Sequence, residues 1–260
     1  MELSNFSQSY EHMIYPTNRK MALHDLKVFV DQRLDKFGPY QDAMKNNVVV
    51  GNHSCISAPL NIGLITPHDV ISAVLSREAP IESVEGFLRQ VVGWREYIRM
   101  KYVLYGDNGW DHLKNMTNKL DKSWYNAQTG IEILDQSIQK VLDYAYAHHI
   151  ERLMLLANYA VLLQINYLDA KKWFTRCFID AYPWVMLNVS MNVNSLNITR
   201  RYMKRAYLTN GTYLVKMGLK VPKHNLEQLK SLYNQFIRNN KKLCSRDYRL
   251  AAAVKRLEQN

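Results

Sequence analysis

Apolar residues recurring at three- and four-residue steps mark most of this chain as helix. Leu23, Leu26, Val30, Leu34 and Phe37 predict a helix over 20–36, with Gly38-Pro39 as its stop. Thr66-Pro67, with Asp69 two residues on, reads as an N-cap, a proline at the first helical position and an acid in the first turn, opening a helix to about Ser76. Pro80 opens another, carrying Val84, Phe87, Val91, Trp94, Ile98 and Tyr102 at helical spacing. Ile138, Val141, Leu142, Ala145, His149, Leu153 and Leu156 share one face of a long central helix over 131–163. Further helices are expected over 168–182, 223–241 and 246–257. The polar stretches over 106–123 and 183–199 read as linker and loop, and Val48 to Leu64 as a loop rich in small donors. No segment alternates as a strand and no βαβ pattern occurs. The expected class is all-α, with an N-terminal surface arm over 1–19 and one helical domain over 20–260.

Composition adds three constraints. Hydrophobic residues make up 47% of the 260, enough for a real core. No apolar run reaches the length of a membrane span and no signal peptide heads the sequence, so no membrane partner is expected. Cys55, Cys177 and Cys244 are far apart, without disulfide-framework or metal-ligand spacing, which suits a reducing intracellular compartment: cytoplasm, nucleoid, nucleus or viral factory. The net charge is +11, and 15 of the 34 basic residues lie from Arg200 onward against 3 of the 23 acidic ones. That asymmetry points to a polyanion, with a solvated basic face as the plainer alternative. Arg200, Arg201, Lys204 and Arg205, interleaved with Tyr202, Tyr207 and Tyr213, suit a partner with phosphates to hold and bases to stack.

The candidate chemistry lies in Tyr144 to Met154. His149 falls on the apolar stripe of the expected central helix, with His148 and Arg152 side by side on its flank. Each needs a polar partner there. For either histidine alone a hydrogen-bonded core residue is the first reading. Adjacent histidines point about 100° apart on a helix, which makes one shared zinc ion a poor reading.

Several segments, in order, resemble the photolyase/cryptochrome family. Phe87-Leu88-Arg89-Gln90-Val91-Val92-Gly93-Trp94-Arg95-Glu96-Tyr97 resembles the signature at the flavin pocket. Ala145-Tyr146-Ala147-His148-His149-Ile150-Glu151-Arg152-Leu153-Met154 is similar to the bacterial branch that includes iron–sulfur (6-4) photolyases. His53 to Leu64 resembles the small-residue flavin-binding loop, and Asp180 to Val185 and Tyr207 to Tyr213 resemble two later blocks.

The resemblance implies a helical domain of photolyase/cryptochrome type that holds FAD folded into a U, without the family's N-terminal α/β antenna domain. In that reading Ser54, Ser57 and Leu60 line the phosphate and ribose side, and Glu85, Arg89 and Trp94 face the pocket or its mouth. Arg152 and Asp180 fall where relatives form a salt bridge beside the isoalloxazine ring. His148 and His149 match the catalytic histidine pair near the lesion, where an unperturbed imidazole titrates near the working pH. Trp173, Tyr182, Trp184, Tyr207 and Tyr213 are candidates for an electron relay, although core packing is the simpler role for each ring alone. The implied partner is DNA, held by the basic tail, and the implied reaction is light-driven electron transfer to a (6-4) or related pyrimidine lesion. Ile133 and Met217 to His224 stand where the iron–sulfur branch has its cysteines, so no iron–sulfur cluster is expected. The same departures fit a truncated or split, non-catalytic flavin- or DNA-binding helical module with a separately encoded α/β partner.

Overall fold

Gly38 and Pro39, expected to stop the first helix, lie inside one. A computed structural model of the chain describes residues 15–105, 116–186 and 208–259. The first helical stretch divides at Arg33 into α1 (Arg19–Gln32) and α2 (Leu34–Tyr40). Pro39 has no N–H to offer the Asp35 carbonyl one turn back. The hydroxyl of Ser83, from α5 (Ile81–Leu88), donates to that oxygen instead at 3.0 Å. Ser83 Oγ in turn accepts the Gly38 N–H at 2.9 Å. A Cβ on Gly38 would stand 2.9 Å from backbone atoms of Glu82 and Ser83, so glycine is what lets the two helices approach this closely. Gly38→Ala should therefore cost about 1–3 kcal/mol by overpacking. A thermal melt checks this, and an unchanged midpoint would contradict it. The inward face of α1 is Ala22, Leu26, Phe29 and Val30, and Leu23, expected inside, is exposed.

The start of α4 (Pro67–Leu75) follows from its local sequence. Thr66 Oγ1 accepts the Asp69 N–H at 3.2 Å and Asp69 accepts the Thr66 N–H at 2.7 Å, closing a capping box. Arg19 of α1 forks onto the same carboxylate. Helix α3 (Ser57–Asn61) interrupts the loop expected over 48–64. Helix α5 runs through a π-helical turn, Arg89–Trp94, into α6 (Arg95–Tyr105).

The long central helix is broken. Helix α7 (Glu132–Tyr144) ends at Ala145, which is left-handed (φ 50°), and helix resumes only at α8 (His149–Glu151). Nothing in Ala-Tyr-Ala disfavours a helix; contacts from distant segments impose the break. The Ala145 carbonyl accepts the Ile179 N–H at 3.1 Å, and the Tyr144 carbonyl accepts the Tyr15 hydroxyl at 3.1 Å. Tyr15 is thereby buried, so this end of the expected surface arm is docked. From α8 the chain passes through a second π-helical turn, Arg152–Ala157, into α9 (Asn158–Leu162) and then α10 (Tyr167–Cys177). Asp180, expected on a helix to 182, lies in the turn beyond α10, and residues 183–186 are helical rather than loop. The C-terminal part adds α11 (Thr212–Lys216), α12 (Lys223–Asn239), α13 (Lys241–Cys244) and α14 (Tyr248–Glu258).

These helices bury two apolar cores. One joins α1, α2, α4 and α5 through Phe29, Phe37 and Phe87, with the Phe37 and Phe87 rings 5.3 Å apart and edge-on. The other joins α7, α9, α10 and the C-terminal helices around Trp173, Tyr159 and Phe236. A small cluster of Tyr15, Ala58 and Tyr146 stands beside Arg152. Among the described residues the fold is all-α, with one isolated bridge, Asn118 to Ile165. No helix among them is long and apolar enough to cross a membrane.

Candidate functional site

Residues from both cores line a cavity of about 680 Å³. It falls within the ~300–1,000 Å³ of organic-ligand sites. Phe37, Phe87, Ile56, Leu153, Met154 and Val185 supply apolar surface; Gln41, Ser54, Ser57, Gln90, Thr209 and Tyr213 supply polar groups. Both π-helical turns contribute, Gln90 and Trp94 from one and Arg152, Leu153 and Met154 from the other. Such turns re-aim side chains where a regular helix would not, and they gather at functional sites. The sequence pattern showed neither.

Arg152 is the main polar feature of the wall. Its Nη1 and Nη2 donate to Asp180 at 2.8 and 3.0 Å, and its Nε donates to the Ala147 carbonyl at 2.5 Å. The guanidinium lies between two rings, 4.3 Å from the Phe178 centroid and 5.4 Å from that of Tyr146. Asp180 also accepts the Ser57 hydroxyl at 2.7 Å, while its carbonyl accepts Asn61 Nδ2 at 3.3 Å. Burial opposes ionisation of Asp180, yet the Arg152 charge and the bonds from Arg152 and Ser57 hold its carboxyl below the usual range. A buried, fully bonded ion pair on a cavity wall is a rigid, polarised edge. These bonds engage three of the five guanidinium N–H groups. A flat, partly polar ring system with attached hydroxyls and phosphates fits this set of groups and this volume.

The histidines take the opposite places to those the helical pattern gave them. His149 opens onto the cavity, and His148 is buried behind it. The ring of His148 stacks on that of His53, with centroids 4.7 Å apart and planes at 12°. Its Nε2 lies 3.9 Å from Glu151, which also takes the Lys140 ammonium and the Ser137 hydroxyl. Loss of water and the neighbouring charges push all three imidazoles down. Burial and His53, Lys140, His149 and Arg152 take His148 to about 2. Burial, His149 and Arg152 outweigh a bond to the Gln41 backbone and take His53 to about 4. His149 is lowered as well, to about 4, by burial first and the Arg152 charge second.

His53 and His148 are neutral in the fold but take up a proton near pH 6.5 when unfolded, so their contribution is present above about 6.5 and is lost as pH falls. Each removes up to about 1.4 kcal/mol per pH unit, His53 down to its folded value near 4 and His148 to its own near 2. Urea midpoints should fall steeply from about pH 7 to about pH 5. A flat profile would contradict the burial of this pair.

The other candidates separate. Ser54 and Trp94 line the cavity, whereas Leu60 packs against the α1–α5 core. Glu85 and Arg89, expected at the pocket or its mouth, pair with each other on the exposed side of α5, one turn apart. Trp173 is fully buried and donates to the Trp124 carbonyl at 2.8 Å. The ring of Trp184 lies 5.4 Å from the Arg95 guanidinium, and Tyr182 is half-buried. Tyr213 lines the cavity, its hydroxyl 3.4 Å from Asp42. Tyr207, Arg200, Arg201, Lys204 and Arg205 lie outside the described residues. His53, Asn61 and Tyr146 lie in segments that resemble the family but were given no role by the sequence, and Phe178 carries no local signal, being 26 residues from Arg152. Among the described residues no group of three or more His, Cys, Asp and Glu side chains is placed to hold a metal ion.

No protein-family model matches the sequence. The (6-4) photolyase of Agrobacterium fabrum is 30% identical over 259 residues, which cover 93% of this chain and 50% of that protein. Among solved structures, a bacterial class III photolyase from Agrobacterium tumefaciens superposes with a TM-score of 0.63 at 17% identity, over 92% of this chain and 60% of the other. The cryptochrome of Synechocystis sp. PCC6803 gives 0.61 at 16% identity, over 86% and 57%. The chain spans about half the length of the (6-4) photolyase it matches.

Proposed function

Since the chain belongs to the photolyase/cryptochrome superfamily, we propose that its cavity holds FAD and that the protein transfers an electron, under light, to a (6-4) or related pyrimidine lesion in DNA. The observation that carries this reading is the Arg152–Asp180 pair, held between Phe178 and Tyr146 on the wall of a cavity of suitable size. A bound, reduced flavin would supply the photochemical electron. The chain's own residues would do the rest. Arg152 and Asp180 present a fixed polar edge to the ring system. Ser54, Gln41 and Tyr213 offer hydrogen bonds, while Phe37, Phe87, Leu153 and Met154 exclude water. His149 stands open to the cavity to exchange a proton with an extruded base, with His148 as its buried support. Trp173, Tyr182, Trp184, Tyr207 and Tyr213 are the rings from which a relay would be built, and Arg200, Arg201, Lys204 and Arg205 the cations for backbone phosphates.

Illumination of protein, FAD and DNA carrying (6-4) lesions tests the reaction: light-dependent loss of the lesion supports it. A second reading, a non-catalytic helical module working with a separately encoded α/β antenna protein, rests on Ile133 and Met217 to His224 standing where the iron–sulfur branch has its cysteines. Flavin binding without repair, joined to repair on adding such a partner, would select it.

A further inference from the structure

The apolar run Leu153–Leu163 contains a single amide side chain, Asn158. Asparagine is a poor helix former, and its amide needs partners when it leaves water. Asn158 is 1% exposed, at the start of α9. Both of its partners are main-chain groups of one residue: Thr209 N–H donates to Asn158 Oδ1 at 3.0 Å, and Asn158 Nδ2 donates to the Thr209 carbonyl at 3.2 Å. This reciprocity fixes the amide orientation, because a flipped amide would set donor against donor and acceptor against acceptor. Thr209 is itself buried, so water does not substitute for either bond.

The pinned segment is a wall of the cavity. Leu208, Thr209 and Tyr213 all line it. Thr209 Oγ1 accepts the Gly211 N–H at 3.2 Å, and Gly211 is left-handed (φ +97°) with Leu226 close against its missing Cβ. The turn from Leu208 to Tyr213 is therefore rigid, and Asn158 sets where it stands. The same helical stretch brings Arg152 into the cavity through its π-helical turn. One rigid element thus places Arg152 and, further along, holds the Leu208–Tyr213 wall.

We propose that Asn158 is a positioning residue that fixes the width of the cavity, and with it the fit of a flavin, without touching the ligand. This rests on the FAD reading given above. Asn158→Asp is the informative variant: it keeps the volume and the acceptor for the Thr209 N–H but sets a carboxylate oxygen against the Thr209 carbonyl.

The expected result is a protein with wild-type helical circular dichroism whose FAD affinity is at least about tenfold weaker. Its bound flavin should show blurred visible bands and stronger fluorescence than in the wild type, a change that general loss of stability would not produce in a folded sample. Wild-type affinity and spectrum in a folded Asn158→Asp protein would overturn the inference and leave the FAD reading standing. A wild-type protein that ignores FAD would overturn both, and is a distinct outcome. Should the variant not fold, amide exchange in the wild type decides: a Thr209 amide that is slow without FAD and slower with it supports the clamp, whereas exchange at the rate of an exposed amide overturns it.

Discussion

Arg152→Ala will strip the protein of flavin and lower its stability by about 3–5 kcal/mol, the cost of leaving a buried charge without its partner. Asp180 is 6% exposed, and its carboxylate is kept ionised against burial chiefly by Arg152. Without the guanidinium, that carboxylate keeps the Ser57 hydroxyl and a backbone N–H but has lost its two charged donors. The Ala147 carbonyl would lose its bond from Nε, and the Phe178 and Tyr146 rings would lose the cation between them. The double variant Arg152→Ala/Asp180→Ala separates two contributions. It should recover much of the stability, because no unpaired charge remains, while flavin stays lost, because the polar edge is gone. Urea unfolding with flavin occupancy measured on the same samples checks this. A single variant that keeps both stability and flavin would show that the pair serves neither.

His149→Ala should leave fold and flavin in place and slow lesion repair by about 10²–10⁴-fold, the usual worth of a positioned proton-transfer group. His149 opens onto the cavity and its ring makes no hydrogen bond among the described residues, so truncation removes little that holds the fold. Its imidazole is held near 4, by loss of water first and Arg152 second, so the charged form is scarce at neutral pH and grows as pH falls. If protonated His149 serves the reaction, wild-type repair should rise from about pH 8 to about pH 6, and that slope should vanish in the variant. Phosphates of a bound DNA strand would favour the charged form and move the rise upward. Flavin and repair lost in equal measure would show a structural role instead.

What could be read from the sequence depended on where the deciding contacts lie. The start of α4 is decided within four residues by Thr66, Pro67 and Asp69, and the sequence shows it. The all-α class and the two long C-terminal helices follow from periodicity that long segments carry themselves. Gly38-Pro39 misleads because the hydroxyl that makes it tolerable comes from Ser83, far along the chain. The break at Ala145 is invisible for the same reason: Ile179 and Tyr15 take the carbonyls there, and the residues themselves favour helix. Once the helix is broken, face assignments beyond it fail, and so His148 is the buried histidine and His149 the open one. That a half-buried Arg152 needs an anion follows from desolvation alone. That Phe178 and Tyr146 bracket it depends on a turn after α10 that periodicity had extended as helix.

Titration of the purified protein with FAD, followed by visible absorption and flavin fluorescence, addresses the central claim directly. Saturable binding of about one FAD per chain, with resolved visible bands and quenched emission, is the result predicted for a cavity edged by Arg152 and Asp180 and closed by apolar walls. A protein that stays colourless through the titration, with the fluorescence of free FAD unchanged, would contradict it.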